Sequence, residues 1–266
     1  MGLVQDQAMD VEASDYPATA GPAVHDLPSL DQAVTECRAC PRLVRWREET
    51  ALAKRASFRD CTYWARPVPG YGPGGARIAI VGLAPAAHGG NRTGRIFTGD
   101  RSGDWLYAAM DRVGLANQPT SVSINDGLRL IDTRVMAAVR CAPPANKPTP
   151  EERDRCAPWM ARELGLLPGL RVIVVLGQFG WNALWPVLAG MSYVIPRPRP
   201  RFGHGAQVLV EHPDRGLLQV LGCYHVSQQN TFTGVLTETM LDSVLRTARE
   251  LAAGLDAGAG TSEQAH

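Results

Sequence analysis

The sequence predicts an α/β fold in which a parallel sheet is sandwiched between helices. Short apolar runs, amphipathic stretches of period 3.6 and a regular alternation between the two carry this reading. Arg77-Ile-Ala-Ile-Val-Gly82 is apolar on both faces and ends in a Gly/Pro turn, as a buried parallel strand requires. Leu106, Ala109, Met110 and Val113 then share one helical face, and Gly114 stops that helix. Val135 to Arg140 reads as a second buried strand. Thr149-Pro150-Glu151-Glu152 is a capping box with Pro at the first helical position, opening a helix to about Leu166. Val172 to Leu176 is a third strand, which Gly177 turns into a helix carrying Trp181, Leu184 and Trp185. Gln207 to Val210 reads as an extra edge hairpin, and Leu218 to Cys223 as the last core strand. Leu236, Met240, Val244, Leu245 and Ala248 line one face of the final helix. Residues 1–26 and 255–266 lack any period and are expected to be disordered tails around one domain, 27–254. Ligands of such sheets bind at the carboxyl ends of the strands, so the loops after residues 82, 141, 176 and 223 are the place to look.

Composition narrows the class without choosing a function. The 266 residues are 45% hydrophobic and 20% charged, an ordinary globular balance with no apolar run long enough to span a bilayer. The acidic start of the chain has neither a basic nor an apolar segment, so no secretory signal is expected and a cytoplasmic location follows. A net charge of +1 does not announce a nucleic-acid partner. Only Lys54 and Lys147 are lysines, the other basic residues being arginines. Arginine suits bidentate phosphate contact, but genomic codon bias produces the same preference, so charge alone assigns no partner.

Six cysteines in a chain expected to stay reduced point to a metal or to catalysis rather than to disulfides. Cys37 and Cys40 form a C-x2-C pair, Cys141 ends a strand, and Cys156 lies in the capped helix beyond it. Four thiolates so placed suit a tetrahedral zinc or a cubane iron–sulfur cluster, and spacing does not decide between them. Two core cysteines beside one C-x2-C pair is the plainer alternative. Cys61 and Cys223 lack such partners and read as structural. A second constellation is the glycine-rich stretch from Gly82 to Asp100, where a strand runs into a loop built for close backbone approach to a ligand. Arg92 and Arg95 are expected to meet phosphate there, and Phe97 to stack on a flat ring. Neither a dinucleotide fingerprint nor a Walker A motif is present. The third is His225-Val-Ser-Gln-Gln-Asn-Thr231, directly after the last strand. A strand-end His is more often structural, but its polar company (Ser227, Gln228, Gln229, Asn230) favours a site.

Taken together, these segments resemble the iron–sulfur branch of the uracil-DNA glycosylase superfamily, and within it the group called family 5 or type B. Gly82-Leu-Ala-Pro resembles the first active-site motif, Cys141-Ala-Pro-Pro-Ala-Asn-Lys-Pro the segment between the third and fourth cluster ligands, and His225-Val-Ser the second active-site motif. The likeness runs from about Cys37 to Leu245. It implies a three-layer α/β/α sandwich with a central four-stranded parallel sheet, and a [4Fe-4S] cluster on Cys37, Cys40, Cys141 and Cys156. It also implies a monofunctional enzyme that removes uracil and other deaminated or damaged bases from DNA, acting as a monomer without a membrane. Ala84 stands where many relatives carry an acidic or amide side chain that orients water, and Ala137 and Ala138 where several carry a uracil-reading Asn.

The chemistry then distributes itself over named residues. The target nucleotide must leave the duplex before its glycosidic bond can be reached. Ala84, Phe97 and Asn146 are expected to contact the flipped base, with Phe97 stacking on it. His225 and backbone N–H groups near residues 84–87 would stabilise charge on the departing base. Asn91 is the expected water-orienting group, with Asn146 second. Arg92, Arg95 and the Gln228, Gln229, Asn230 loop would hold the DNA. Neither active-site motif contains a lysine, so no Schiff-base strand cleavage is expected. The competing readings are a non-catalytic iron–sulfur or zinc DNA-binding module and a small-molecule nucleoside hydrolase.

Overall fold

The computed structural model describes residues 14–259, and the side chains of residues 14–254. Five strands, β1 (Ile78–Gly82), β2 (Thr133–Ala137), β3 (Val172–Leu176), β4 (Gln207–His212) and β5 (Gly216–Cys223), form one sheet. Their order is β2-β1-β3-β5-β4. β2, β1, β3 and β5 run parallel, and β4 pairs antiparallel with β5, Gln207 facing Leu221. The expected four-stranded parallel sheet is thus the centre of a five-stranded one. The edge hairpin joins it because Gly216 turns the chain at positive φ (+70°) and lets β4 ladder onto β5. β2 also begins and ends earlier than its apolar run suggested. Beyond Ala137 the chain bends, although the N–H groups of Ala138 and Val139 still bond to the carbonyls of Gly82 and Leu83.

Around the sheet lie α1 (Tyr16–Ala23), α2 (Leu27–Glu36), α3 (Pro41–Ala53), α4 (Gly90–Thr93), α5 (Arg101–Arg112), α6 (Pro150–Gly165), α7 (Gln178–Gly190), α8 (Gln228–Phe232) and α9 (Glu238–Ala259). Alternate residues of each central strand face opposite cores. Ile78, Ile80, Val172 and Val174 pack under Leu106 and Met110 of α5 and Leu241 and Leu245 of α9. Ala79, Val81, Ile173 and Val175 pack under Met160 and Leu164 of α6 and Leu184 and Leu188 of α7. Both faces of β1 and β3 are therefore buried, which explains their unbroken apolar runs. α6 opens with the expected capping box, the Thr149 hydroxyl accepting from the N–H of Glu152 and the Glu152 carboxylate accepting from that of Thr149.

The expected disordered tails need correction within the described residues. Residues 16–23 form α1, which packs on α6, with Tyr16 edge-on to Trp159 at 5.8 Å between ring centres. Asp26 caps α2 by accepting from the N–H of Ser29 at 2.8 Å. Residues 255–259 continue α9. Residues 1–13 and 260–266 lie outside the described residues. A buried ionic network ties this N-terminal layer down. Glu163 of α6 accepts from both Arg134 of β2 and Arg140, and Arg134 also reaches Asp31 of α2. Burial alone would raise the Glu163 pKa, but the two guanidiniums hold it below the usual carboxylate range.

Candidate active site

The carboxyl ends of the strands open on a solvent-connected cleft of about 1300 Å³. Leu83 and Ala84 enter it from the end of β1, Ala145 and Asn146 from the loop after β2, and His225 from the end of β5. Phe97 forms part of its wall, and Gln228 and Gln229 of α8 its rim. Six of the residues singled out from the sequence, Ala84, Phe97, Asn146, His225, Gln228 and Gln229, therefore line one cavity.

The wall is made by glycines that let larger groups approach. A Cβ on Gly82 would sit 2.6 Å from Cζ of Phe97, and one on Gly103 would strike the Phe97 carbonyl oxygen. A Cβ on Gly177 would sit 3.1 Å from Cβ of His225. Phe97 lies 6.3 Å from His225 between ring centres. Phe97, Ala145 and Asn146 all adopt left-handed backbone (φ +51°, +52° and +55°). Each such non-glycine residue costs about 1–3 kcal/mol, and strain of this kind gathers at functional sites. Burial pushes the His225 imidazole down to about 4, so it is neutral at pH 7. The N–H groups of Ala84, Ala86 and Ala87 donate to no group among the described residues, which leaves them free for a ligand.

Four expected site residues do something else. Asn91 is 1% exposed and does not line the cleft; its amide donates to the Arg47 carbonyl at 3.2 Å and the Ala87 carbonyl at 3.4 Å. It fastens the glycine-rich loop to α3, while its Oδ1 is buried without a partner among the described residues. Arg92 braces the same loop, donating to the His88 and Gly99 carbonyls and stacking over Phe58 at 4.1 Å. Arg95 is 2% exposed and is held by Asp126 at 2.6 Å, with Ser121 and Thr98 as further acceptors. It is a core ion pair and not a phosphate ligand. Asn230 donates to the His225 carbonyl at 2.8 Å and so supports the histidine from behind.

Asp100, at the end of the glycine-rich stretch, also lines the cleft. Its carboxylate caps α5 by accepting from the N–H of Gly103 at 2.9 Å. Burial raises its pKa. The Thr-Gly-Asp-Arg-Ser-Gly run at 98–103 was the available signal, since Asp before a helix reads as an N-cap and a cap at a strand-end loop points into the ligand cleft.

A second, smaller cavity lies beneath α3. Cys37, Cys40, Cys141 and Cys156 all line it, with Arg47, Arg140 and Trp159. Among the described residues no three His, Cys, Asp or Glu side chains gather closely enough to hold a single metal ion. Four thiols around one cavity are a lining that a sulfur-ligated metal centre could use. The donor set agrees. Nε of Arg47, Nε and Nη1 of Arg140 and Nε1 of Trp159 are buried without partners, as donors awaiting acceptors in that space. Nη1 of Arg47 already donates to Sγ of Cys141 at 3.0 Å, and the Arg140 N–H to Sγ of Cys156 at 3.3 Å. Cys61 and Cys223 stand apart from this cavity.

Comparison with known proteins converges on the same elements. The sequence profile of the Uracil DNA glycosylase superfamily matches residues 69–249. A Type-5 uracil-DNA glycosylase of Mycobacterium tuberculosis is 56% identical over 224 residues, 84% of this chain and 81% of that protein. One of Thermus thermophilus is 51% identical over 227 residues, 85% of this chain and 99% of that protein. One of Pyrobaculum aerophilum is 41% identical over 215 residues, 81% of this chain and 88% of that protein. The matched span includes the glycine-rich loop, Asn146 and His225, the groups that the strand ends bring into one cleft. The chain belongs to the uracil DNA glycosylase superfamily.

Proposed function

We propose that the chain is a monofunctional DNA glycosylase that hydrolyses the bond between uracil and deoxyribose, and that it accepts other deaminated or damaged bases. The observation that carries this is the cleft itself: a stacking ring, a neutral imidazole and free backbone donors converge where a flipped base would enter. Phe97 stacks on the base, a contact indifferent to which ring arrives. As the glycosidic bond breaks, negative charge develops on the base. The neutral His225 and the N–H groups of Ala84, Ala86 and Ala87 receive it, each such donor contributing about 3 kcal/mol once the bound base has displaced water. Ala84 supplies no polar side chain, so water orientation passes to Asn146, with Asp100 as the acid of the same cleft. The left-handed backbone at Ala145 and Asn146 holds that amide toward the cavity.

Cys37, Cys40, Cys141 and Cys156 would hold a [4Fe-4S] cluster. Its contribution when bound is structural, a cross-link between the N-terminal helices and the segment that leads to Asn146. Arg47 and Arg140 would donate to its sulfur atoms. Iron and sulfide near four of each per chain, with visible absorbance lost in Cys156→Ala, is the expected result for the purified protein. The chain would work on DNA in the cytoplasm as a single domain.

The test of the activity is cleavage of labelled oligonucleotides carrying one uracil, hypoxanthine or ethenocytosine, with alkali added afterward. Alkali-dependent breakage at several of these bases is expected. DNA binding without any abasic product would replace the enzyme with a non-catalytic DNA-binding module.

A further inference from the structure

Between α7 and β4 the chain reads Pro196-Arg197-Pro198-Arg199-Pro200-Arg201-Phe202. Arg197, Arg199 and Arg201 are exposed, and among the described residues none has an acidic partner or donates a side-chain hydrogen bond. Arg92, Arg95, Arg112, Arg134 and Arg140, by contrast, are committed to partners within the fold. The segment is nevertheless fixed in place. Nε1 of Trp181 donates to the Pro200 carbonyl at 2.9 Å, and Phe202 packs edge-on to Trp181 at 5.8 Å and against Tyr224 at 6.2 Å. The ring of His204 accepts from the N–H of Tyr224 at 3.2 Å. Tyr224 precedes His225, and Trp181 lies one helical turn from Gly177, which abuts His225. Three unpaired guanidiniums are thus carried on an anchored, proline-stiffened arm at one side of the cleft.

We infer that Arg197, Arg199 and Arg201 grip the phosphates of the DNA strand that flanks the flipped nucleotide. The inference rests on the glycosylase reading for its ligand, and on the arm's own charge and position for its place. Five residues reach at most about 14 Å between the outer arginines, and one DNA strand presents a phosphate about every 3.4 Å of helix axis. Three successive phosphates span about 7 Å of axis, so the arm is long enough to set one arginine against each. Arginine's planar fork suits them bidentately, and the prolines lower the conformational entropy lost on binding. The molecule's near-zero net charge is an average that hides this device: residues 177–210 carry these three arginines and no Asp or Glu.

The experiment is fluorescence anisotropy of the full cluster-containing protein on a labelled uracil duplex across a sodium chloride titration. Each phosphate contact contributes about 0.9 to the slope of log affinity against log salt. Replacing Arg197, Arg199 and Arg201 together by Ala is expected to weaken binding and flatten that slope by about 2–3. Replacing the same three by Lys keeps the charges and is expected to restore the slope. An unchanged slope in the Ala protein, or no restoration by Lys, overturns the arm. The same preparations are assayed for abasic product, which separates the two ideas. Wild-type protein that binds with an arm-dependent slope but excises nothing sinks the glycosylase reading and leaves the arm standing. Protein that excises uracil with an arm-independent slope does the reverse.

Discussion

His225 and Asn146 are the side chains whose chemistry is most exposed to test. A histidine held down to about 4 by burial is an uncharged donor throughout the neutral range. Excision under single-turnover conditions should therefore stay flat from pH 8 to about 5.5 and change only as pH approaches the lowered value. A break near the ordinary imidazole pKa of about 6.5 would make His225 a charged donor instead. Stability follows the same group with a definite sign. Between about 6.5 and 4 the unfolded chain binds a proton that the folded chain refuses, so this residue lowers stability as pH falls through that window. The two asparagines separate by excision rate. Asn146→Ala should slow excision about 100-fold, with a fall in melting temperature of only a few degrees that reflects the left-handed backbone (φ +55°), since the side chain is exposed in the cleft. Asn91→Ala removes buried hydrogen bonds to two carbonyls and should cost about 1 kcal/mol of stability, or roughly 2–4 °C of melting temperature. A slow Asn91→Ala enzyme with wild-type melting would return the water to Asn91. The sequence could not make this distinction, because both asparagines follow a strand in a polar loop and only the partner 44 residues away, Arg47, turns one of them inward.

At the scale of elements, the strand-to-loop junction after β1 sets the geometry of the pocket. Gly82 ends the strand directly beneath the Phe97 ring, and Phe97 is pinned from the other side by Gly103. Gly82→Ala should therefore displace the ring and cut excision of every base at least tenfold, measured as kcat/KM on uracil and hypoxanthine substrates. Loss for one base only would mean that the ring selects its substrate instead of merely stacking. The strands themselves were easy to read. β1 and β3 are buried on both faces and so are apolar throughout, and Thr149 and Glu152 announce α6 without help from tertiary structure. β4 was legible as a hairpin but not as part of the sheet, because its burial alternates weakly and its pairing is decided by β5. α1 was illegible: its Ala, Pro and Gly composition has almost no helical period, and the helix is held by Trp159 and α6 rather than by its own sequence. The arginines of the glycine-rich loop were misassigned for a similar reason. Asp126 stands 31 residues from Arg95, and nothing local signals that the two meet.

For the molecule as a whole, the question is whether the N-terminal helices are an appendage or part of one cooperative unit. Glu163 answers it physically. Its carboxylate is shared by Arg134, which also holds Asp31 of α2, and by Arg140, the neighbour of Cys141. One acid thus joins the N-terminal layer, the sheet and the edge of the cysteine-lined cavity. Replacing it by alanine leaves two arginines, 3% and 1% exposed, without their buried counter-charge. Breaking a buried pair in this way costs about 3–5 kcal/mol, which for a chain of this size is roughly 6–20 °C of melting temperature. The acid's lowered pKa gives the loss a pH signature: its stabilisation is present above the usual carboxylate range and fades as pH falls through the lower folded value. Melting of Glu163→Ala should accordingly converge on that of the wild type in strong acid. If the helices, the sheet and the cavity form one unit, far-ultraviolet dichroism and the visible absorbance of the cluster should be lost together in both proteins. Cluster loss well before the helical signal, in the variant alone, would instead make Glu163 a local clasp on the cavity and the N-terminal layer a separable part.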